Sequence, residues 1–274
     1  MSSNPITNIS ITLSECVENH HSMKKHGELA APGEGLSLED LLQIRSNLAE
    51  IGIESEIRPL ECYEDIATID VSIAPPEEAY VLIIPNAVNH LLHNCSEFTQ
   101  QHMYEEQCLL KHDKQAFMKG KVVNKHARWN LCFGQVGCEP AYEEKQGTIV
   151  AYDDVPITQL LMMQVQRYFG PKATDLRGEG NYYYDPRNTG IGFHGDAERR
   201  KVFGIRLAEE GTVTPPLHFQ WFRKSNPIGD RIIIPLNAGD MYVMSEKAVG
   251  TDWLKKNIYT LRHATGAQKY TTIS

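Results

Sequence analysis

The sequence predicts an α+β chain: a double-stranded β-helix (a cupin-like jelly roll) over residues 181–274, flanking helices, and a small N-terminal β-α-β-like unit over residues 1–75. Three observations predict it. Eight short β-patterned runs follow residue 181, divided by turn residues at Pro215-Pro216, Asn226-Pro227, Asn237-Ala238-Gly239-Asp240 and Ala264-Thr265-Gly266. Two earlier segments, 37–52 and 153–171, combine helix-ending residues with one apolar face. Residues 6–19 alternate with the two-residue period of a strand, Ile9, Ile11 and Leu13 falling on one side.

The first helix follows from Ser37, a good N-cap with Asp40 three residues on, and from Gly52 in the position of a C′ glycine. Leu38, Leu41, Leu42, Leu48 and Ile51 form its apolar side. IESEIRPLECY and EAYVLIIPNAVNHLL read as strand material, and Ala74-Pro75-Pro76 closes the N-terminal unit. Residues 76–274 form the second expected domain. Within it, 96–118 reads as a helix capped at Ser96, and DDVPITQLLMMQVQRYFGP as a helix begun at Pro156 and stopped by Gly170-Pro171. The eight β runs are NYYY, GIGFHGD, KVFGIRL, PLHFQWF, RIIIPLN, GDMYVMS, IYTLRHAT and KYTTIS.

A chain of 274 residues, 41% hydrophobic and 23% charged, is long enough to bury a substantial core. No apolar run reaches the roughly 18 residues that cross a bilayer. MSSNPITNIS carries no basic-then-apolar leader pattern, so an intracellular protein, cytoplasmic or nuclear, is expected. The six scattered cysteines form no C-x-x-C pair and are expected to be reduced thiols. A net charge of −8 disfavours a nonspecific grip on duplex nucleic acid, although it leaves room for a local basic surface. His20, His21 and His26 have no acid or cysteine at ligand spacing and read as a solvated loop.

The chemistry concentrates in GIGFHGD. Residues two apart on a strand share a face, so His194 and Asp196 can chelate one metal. Two histidines and one carboxylate on one side of the ion, the other side open, are the ligand set of non-haem iron(II) oxygenases. Asn181-Tyr182-Tyr183 stands about a dozen residues before His194-Gly195-Asp196, and HARWNLCFG (126–134) is followed by a tyrosine-containing segment, a Val-Pro and a helix. This arrangement resembles the AlkB-like branch of the iron(II)/2-oxoglutarate-dependent dioxygenases over roughly residues 120–274.

The resemblance implies an enzyme that binds iron(II), takes 2-oxoglutarate and O2 as cosubstrates, and hydroxylates or oxidatively demethylates its substrate. It assigns Asn181 and Tyr183 to the 2-oxoglutarate carboxylates and the lid-like His126, Trp129 and Phe133 to the substrate. It breaks at SEKAVGTDWLKK, where the family has its second histidine and this chain has none. Two registers follow. In one, Arg262 clamps 2-oxoglutarate and the third metal position falls near Asp252 or is vacant. In the other, His263 is the third ligand and Lys269 supplies the cation; alternation forbids Arg262 and His263 from both pointing inward without a bulge. The second register completes a His/Asp/His set and is the one favoured. His218 is a rival ligand, better read as a core histidine, and the run ERRK (198–201) reads as a solvated edge or the border of the site. The expected substrate is a modified nucleobase, a protein side chain or a small metabolite. A jelly-roll binding module that has lost iron is the non-enzymatic alternative.

Overall fold

The computed structural model describes residues 6–63 and 73–273. Residues 1–5 and 64–72 of the expected N-terminal unit, and Ser274, lie outside the described residues. Strands β1 (Asn8–Ser14), β2 (Cys16–Glu18) and β3 (Lys25–Gly27) lead into helix α1 (Leu38–Glu50). Next come β4 (Glu56–Pro59), β5 (Tyr80–Ile84), α2 (Ala87–His93) and α3 (Gln100–Cys108). The hairpin β6 (Gln115–Met118) and β7 (Lys121–Asn124) precedes β8 (Trp129–Gly134), β9 (Ile149–Ala151) and α4 (Pro156–Tyr168). The C-terminal part runs β10 (Arg177–Tyr183), β11 (Gly190–His194), β12 (Val202–Leu207), β13 (Leu217–Arg223), β14 (Asn226–Ile234) and β15 (Met241–Met244). Helix α5 (Glu246–Val249), β16 (Tyr259–Gly266) and helix α6 (Gln268–Thr271) complete it.

The fold is α+β and rich in antiparallel sheet. One sheet has the order β4-β5-β15-β12-β1-β10-β8-β9, and a four-stranded sheet has the order β11-β16-β13-β14. From β10 to β16 the chain passes repeatedly between the two: β10, β12 and β15 join the large sheet, β11, β13, β14 and β16 the small one. Alternation gives the large sheet two buried faces. On one, Ile9, Ile11, Leu13, Leu131, Phe133, Tyr182, Phe203 and Ile205 pack with Leu41, Leu48, Leu91 and Leu161 of the helices. On the other, Val81, Val202, Tyr242 and Met244 pack with Leu217, Phe219, Trp221 and Leu261 of the small sheet. No described helix is long and apolar enough to cross a membrane.

The expected helix ends hold where local chemistry sets them. The Ser37 side chain accepts from the Asp40 N–H, and the Asp40 carboxylate accepts from the Ser37 N–H. Pro156 opens α4, and Gly52 adopts φ +76° after α1. Four expectations need correction. The segment 1–75 is no separate unit: β1 is hydrogen-bonded between β10 and β12, and β5 pairs with β15. The segment 96–118 contains only the short α3, capped by Thr99 rather than Ser96, because Lys119 and Gly120 take positive φ and turn 115–124 into a hairpin. NAVNHLL is helical rather than extended, starting after the left-handed Asn86. KYTTIS carries the end of α6 instead of an eighth strand.

Because β1 lies inside the large sheet, the N-terminal strand contributes to the whole core. Ile11→Ala is expected to lower stability by about 2–5 kcal/mol in urea unfolding. The exposed Val213→Ala should stay within about 0.5 kcal/mol of the parent.

Candidate metal centre

His194 ends β11 and is paired directly across from His263 of β16, after a register irregularity between Ile191 and His194. The two rings lie edge to face, centroids 4.5 Å apart. Asp196 sits beyond the strand end, its N–H donating to the Val249 carbonyl at 3.0 Å. Its Oδ1 is 3.5 Å from His194 Nε2 and its Oδ2 is 3.8 Å from His263 Nε2. One ligand atom from each residue falls within 4.8 Å of the others. Neighbouring ligands bonded at roughly 2.1 Å stand about 3 Å apart, so small side-chain rotations bring these three onto one ion. The favoured register thus has its three ligand residues together.

Backbone groups orient His194 and fix the position of Asp196. His194 Nδ1 lies 2.8 Å from the Gly192 carbonyl and 3.1 Å from that of His263. A carbonyl only accepts, so Nδ1 carries the hydrogen and Nε2 is the nitrogen turned toward Asp196. Burial, with His194 beside it, pushes His263 down to about 4, leaving a neutral imidazole at ordinary pH. Burial alone would raise the Asp196 carboxyl; Arg199 and the two histidines instead hold it well below the usual carboxylate range. The intervening glycine is required for space. A Cβ on Gly195 would lie 2.0 Å from the Gly250 carbonyl oxygen, so the chain after α5 presses directly on the outside of the site.

Arg199 is not part of a solvated edge. It is only 3% exposed, its Nη2 donates to Glu179 and Glu198, and its Nε lies 3.9 Å from Asp196. Beyond it, the face of β10 turned to the small sheet presents Asn181 and Tyr183. Asn181 accepts from Arg128 Nε and from Asn130 Nδ2 (2.8 Å), and it donates to Glu179 (3.3 Å).

The other expected residues lie elsewhere. Arg262 alternates with His263 and points out of the small sheet, its guanidinium 3.9 Å from the Phe222 ring centre and 5.2 Å from that of Trp253. Lys269 is exposed on α6 beside Tyr270, because the expected return strand is helical. Asp252 accepts from Lys247 at 2.8 Å, an ion pair away from the ligand cluster. His218 pairs with Ala264 on the outward side of β13. Phe133 is buried in the helix-side core, and Trp129, on the same face, stacks on Tyr184 at 4.3 Å. His126 is exposed. Trp129 and Phe133 thus share a face with Tyr182, whereas Asn130 projects beside Asn181.

The residue missed from sequence is Arg206. Its neighbours Phe203, Ile205 and Leu207 enter the helix-side core, which turns Arg206 toward the small sheet, fully buried. Its Nη2 donates to Thr265 Oγ1 at 3.4 Å, while Nε and Nη1 have no partner. The signal was a charge at an inward position of the apolar run VFGIRLA.

No family model matches the chain. It is 42% identical over 266 residues to an uncharacterized protein of Acanthamoeba polyphaga mimivirus, covering 96% of each chain.

Two outcomes follow from this geometry. Gly195→Ala is expected to weaken Mn(II) binding by about 10- to 100-fold in isothermal titration, because Asp196 is displaced with its backbone. Thermal unfolding of the metal-free protein should show Tm falling as pH drops from 6.5 toward 4.5. Between the ordinary 6.5 and the folded value of about 4, the unfolded chain protonates His20, His112 and His263 while the folded chain does not. Glu18, raised to about 7 by burial and by Glu198 and Glu179, and Glu198, also raised by burial, act in the opposite sense. They are two acids against five histidines once His26 and His218, both lowered by burial, are included. His263→Ala should flatten the acid limb.

Proposed function

We propose that this chain, which belongs to one family with the mimivirus protein, is an iron(II)- and 2-oxoglutarate-dependent dioxygenase that hydroxylates or oxidatively demethylates its substrate. The reading rests on the His194/Asp196/His263 cluster: two imidazoles and one carboxylate, with no fourth such ligand grouped with them among the described residues. That donor set fits a cation bound on one side and open on the other, the arrangement of non-haem iron oxygenases. A closed structural zinc site takes four protein ligands.

The passage of β10–β16 between two sheets supports a double-stranded β-helix, with β1 in the place of its eighth strand, between β10 and β12. In this reading His194, Asp196 and His263 hold iron(II), and Asn181 and Tyr183 face the cosubstrate from β10. Bound there, iron(II) supplies oxygen activation coupled to oxidative decarboxylation of 2-oxoglutarate. The protein's part is orientation and dryness. Arg199 keeps the Asp196 carboxylate charged, and the buried rings of Tyr183, Tyr242 and Phe219 keep water from the space between the sheets.

For the substrate, one feature favours an anionic chain carrying a modified nucleobase over a protein side chain or a small metabolite. Lys111, Lys114, Lys119 and Lys121 are exposed on and before the β6–β7 hairpin that leads to Arg128. The only acid from 111 to 128, Asp113, is buried and bonded to Asn19, Tyr142 and Thr148.

Anaerobic titration with iron(II) and 2-oxoglutarate is expected to give a weak visible charge-transfer band that is lost in His194→Ala and His263→Ala and kept in Asp252→Ala. A wild type that binds no iron would make the chain a binding module instead. A single-stranded oligonucleotide should bind with a salt slope that falls by about 0.7 for each contacting lysine changed to glutamine. Binding that ignores Lys119→Gln and Lys121→Gln would return the substrate to the other two classes.

A further inference from the structure

We infer that the outer face of the small sheet is a docking surface for single-stranded nucleic acid, its contacts a row of guanidiniums and aromatic rings. The inference goes beyond the function proposed above, because the row lies on the side of the sheet turned away from the metal ligands and stands without them. Alternation places it there. Phe193 and Arg262 adjoin the inward His194 and His263 on their strands, and Phe222 shares the outward side of β13 with His218. From end to end the row runs Arg231, Phe193, Phe222, Arg262, Trp253. The Arg231 guanidinium lies 5.2 Å from the Phe193 ring centre, and that ring lies 6.2 Å from Phe222. Arg262 lies 3.9 Å from Phe222 and 5.2 Å from Trp253.

The charge of the row calls for an anionic partner. Neither guanidinium has a carboxylate partner among the described residues. Arg262 donates to the Trp253 carbonyl at 3.3 Å and its Nε is unpaired, while Arg231 is exposed with its charge over Phe193. Lys255 and Lys256 stand exposed beyond Trp253. The acids nearby are Asp252, bonded by Lys247, and Asp230. On a chain of net charge −8, cations gathered with so little acid among them are complementary to an anion from outside. Exposed Ile233 and Leu254 border the row and give it an apolar rim.

The rings choose among anions. An acidic peptide satisfies the guanidiniums but leaves Phe193 and Trp253, both half-buried, without a flat partner. Single-stranded nucleic acid brings both parts: phosphates for the cations, and base faces for the rings and the guanidinium planes. A duplex keeps its base faces stacked on one another and offers only phosphates. The row is also within reach of the basic hairpin. β11 is an edge of the small sheet, and the Gly190 N–H at its start donates to the Ala127 carbonyl at 2.9 Å. The outer face therefore borders the segment that carries the β6–β7 lysines and Arg128, and one strand can pass round the edge from the one to the other. At the other end Trp253 is seated against the strand end that carries Asp196: a Cβ on Gly195 would lie 2.8 Å from the Trp253 Cβ.

The test uses the full chain, metal-free and with Mn(II), in fluorescence anisotropy. The probes are labelled oligothymidylate of about 15 nucleotides, its duplex with oligoadenylate, and polyglutamate of similar length. Wild type is expected to bind the single strand about 10-fold more tightly than the other two, with or without Mn(II). Arg231→Gln and Arg262→Gln should each weaken it several-fold and lower its salt slope by about 0.7. Trp253→Ala should weaken it by about 5- to 100-fold with the slope unchanged, which separates stacking from charge. If Arg262→Gln or Trp253→Ala fails to fold by circular dichroism, Arg231→Gln, a change at an exposed side chain, decides. Affinity and slope equal to wild type in Arg231→Gln overturn the inference, and loss of binding in Lys119→Gln and Lys121→Gln alone then makes the hairpin the whole contact. A duplex held as tightly as the single strand overturns it, and so does polyglutamate held as tightly and lost in the same variants, which makes the partner an acidic protein. Absent Mn(II) binding, with the oligonucleotide held by wild type and weakened in Arg231→Gln, overturns the metal reading and supports this one.

Discussion

The pairing of β11 with β16 sets the two histidines opposite each other, and the rest of the centre depends on that register. A slip of one residue would exchange His263 for Arg262 and turn a ligand into a cation. The register is held from outside as well as from within. Gly195 is pressed against the Gly250 carbonyl, and the Asp196 N–H is bonded to Val249, so the end of α5 fixes the carboxylate relative to the strand that carries His194. Neither contact involves a ligand atom. Both act through backbone, where there is little freedom for the site to relax.

The interior treats charge in two ways. Around Arg199, the carboxylates of Glu179, Glu198 and Asp196 return the interaction that burial removes. The result is a charged Asp196 held beside the neutral His263 imidazole, protonation states that would suit a bound cation. Arg206 instead bonds a single threonine hydroxyl, and its Nε and Nη1 have no hydrogen-bond partner. One arginine holds the Asp196 carboxylate charged, and the other bonds Thr265, two residues along β16 from His263.

Sequence reading succeeded where the determining contacts are local. The Ser37–Asp40 box, Pro156 at the start of α4 and the two-residue spacing of His194 and Asp196 all act within four residues. Alternation also separated Arg262 from His263, and the structure has one outward and one inward. It failed where the outcome depends on which strands become neighbours. Trp129 and Phe133 have the aromatic character of a substrate lid, yet their face of β8 is set by pairing with β10, and that face is the helix-side core. Lys269 lost its role because four residues after Gly266 closed into a helical turn instead of a strand. Arg206 escaped notice because the alternation of KVFGIRL says which residues share a face but not that the second face is enclosed.

The position of β1 follows the same logic on a larger scale. Its apolar alternation announces a strand, but its partners β10 and β12 lie more than 160 residues away in sequence. Pairing across such separations pays its loop-closure entropy before any contact rewards it, so β1 is expected to dock after the local hairpins have formed. Until it docks, β10 and β12 expose adjoining edges, and the row from Arg206 through Ser10 to Asn181 does not exist. The strand read as part of a small N-terminal unit is the one that joins β10 to β12 in the large sheet. Fold closure and assembly of that row are a single event in this chain, because the same seven residues, Asn8–Ser14, carry out both.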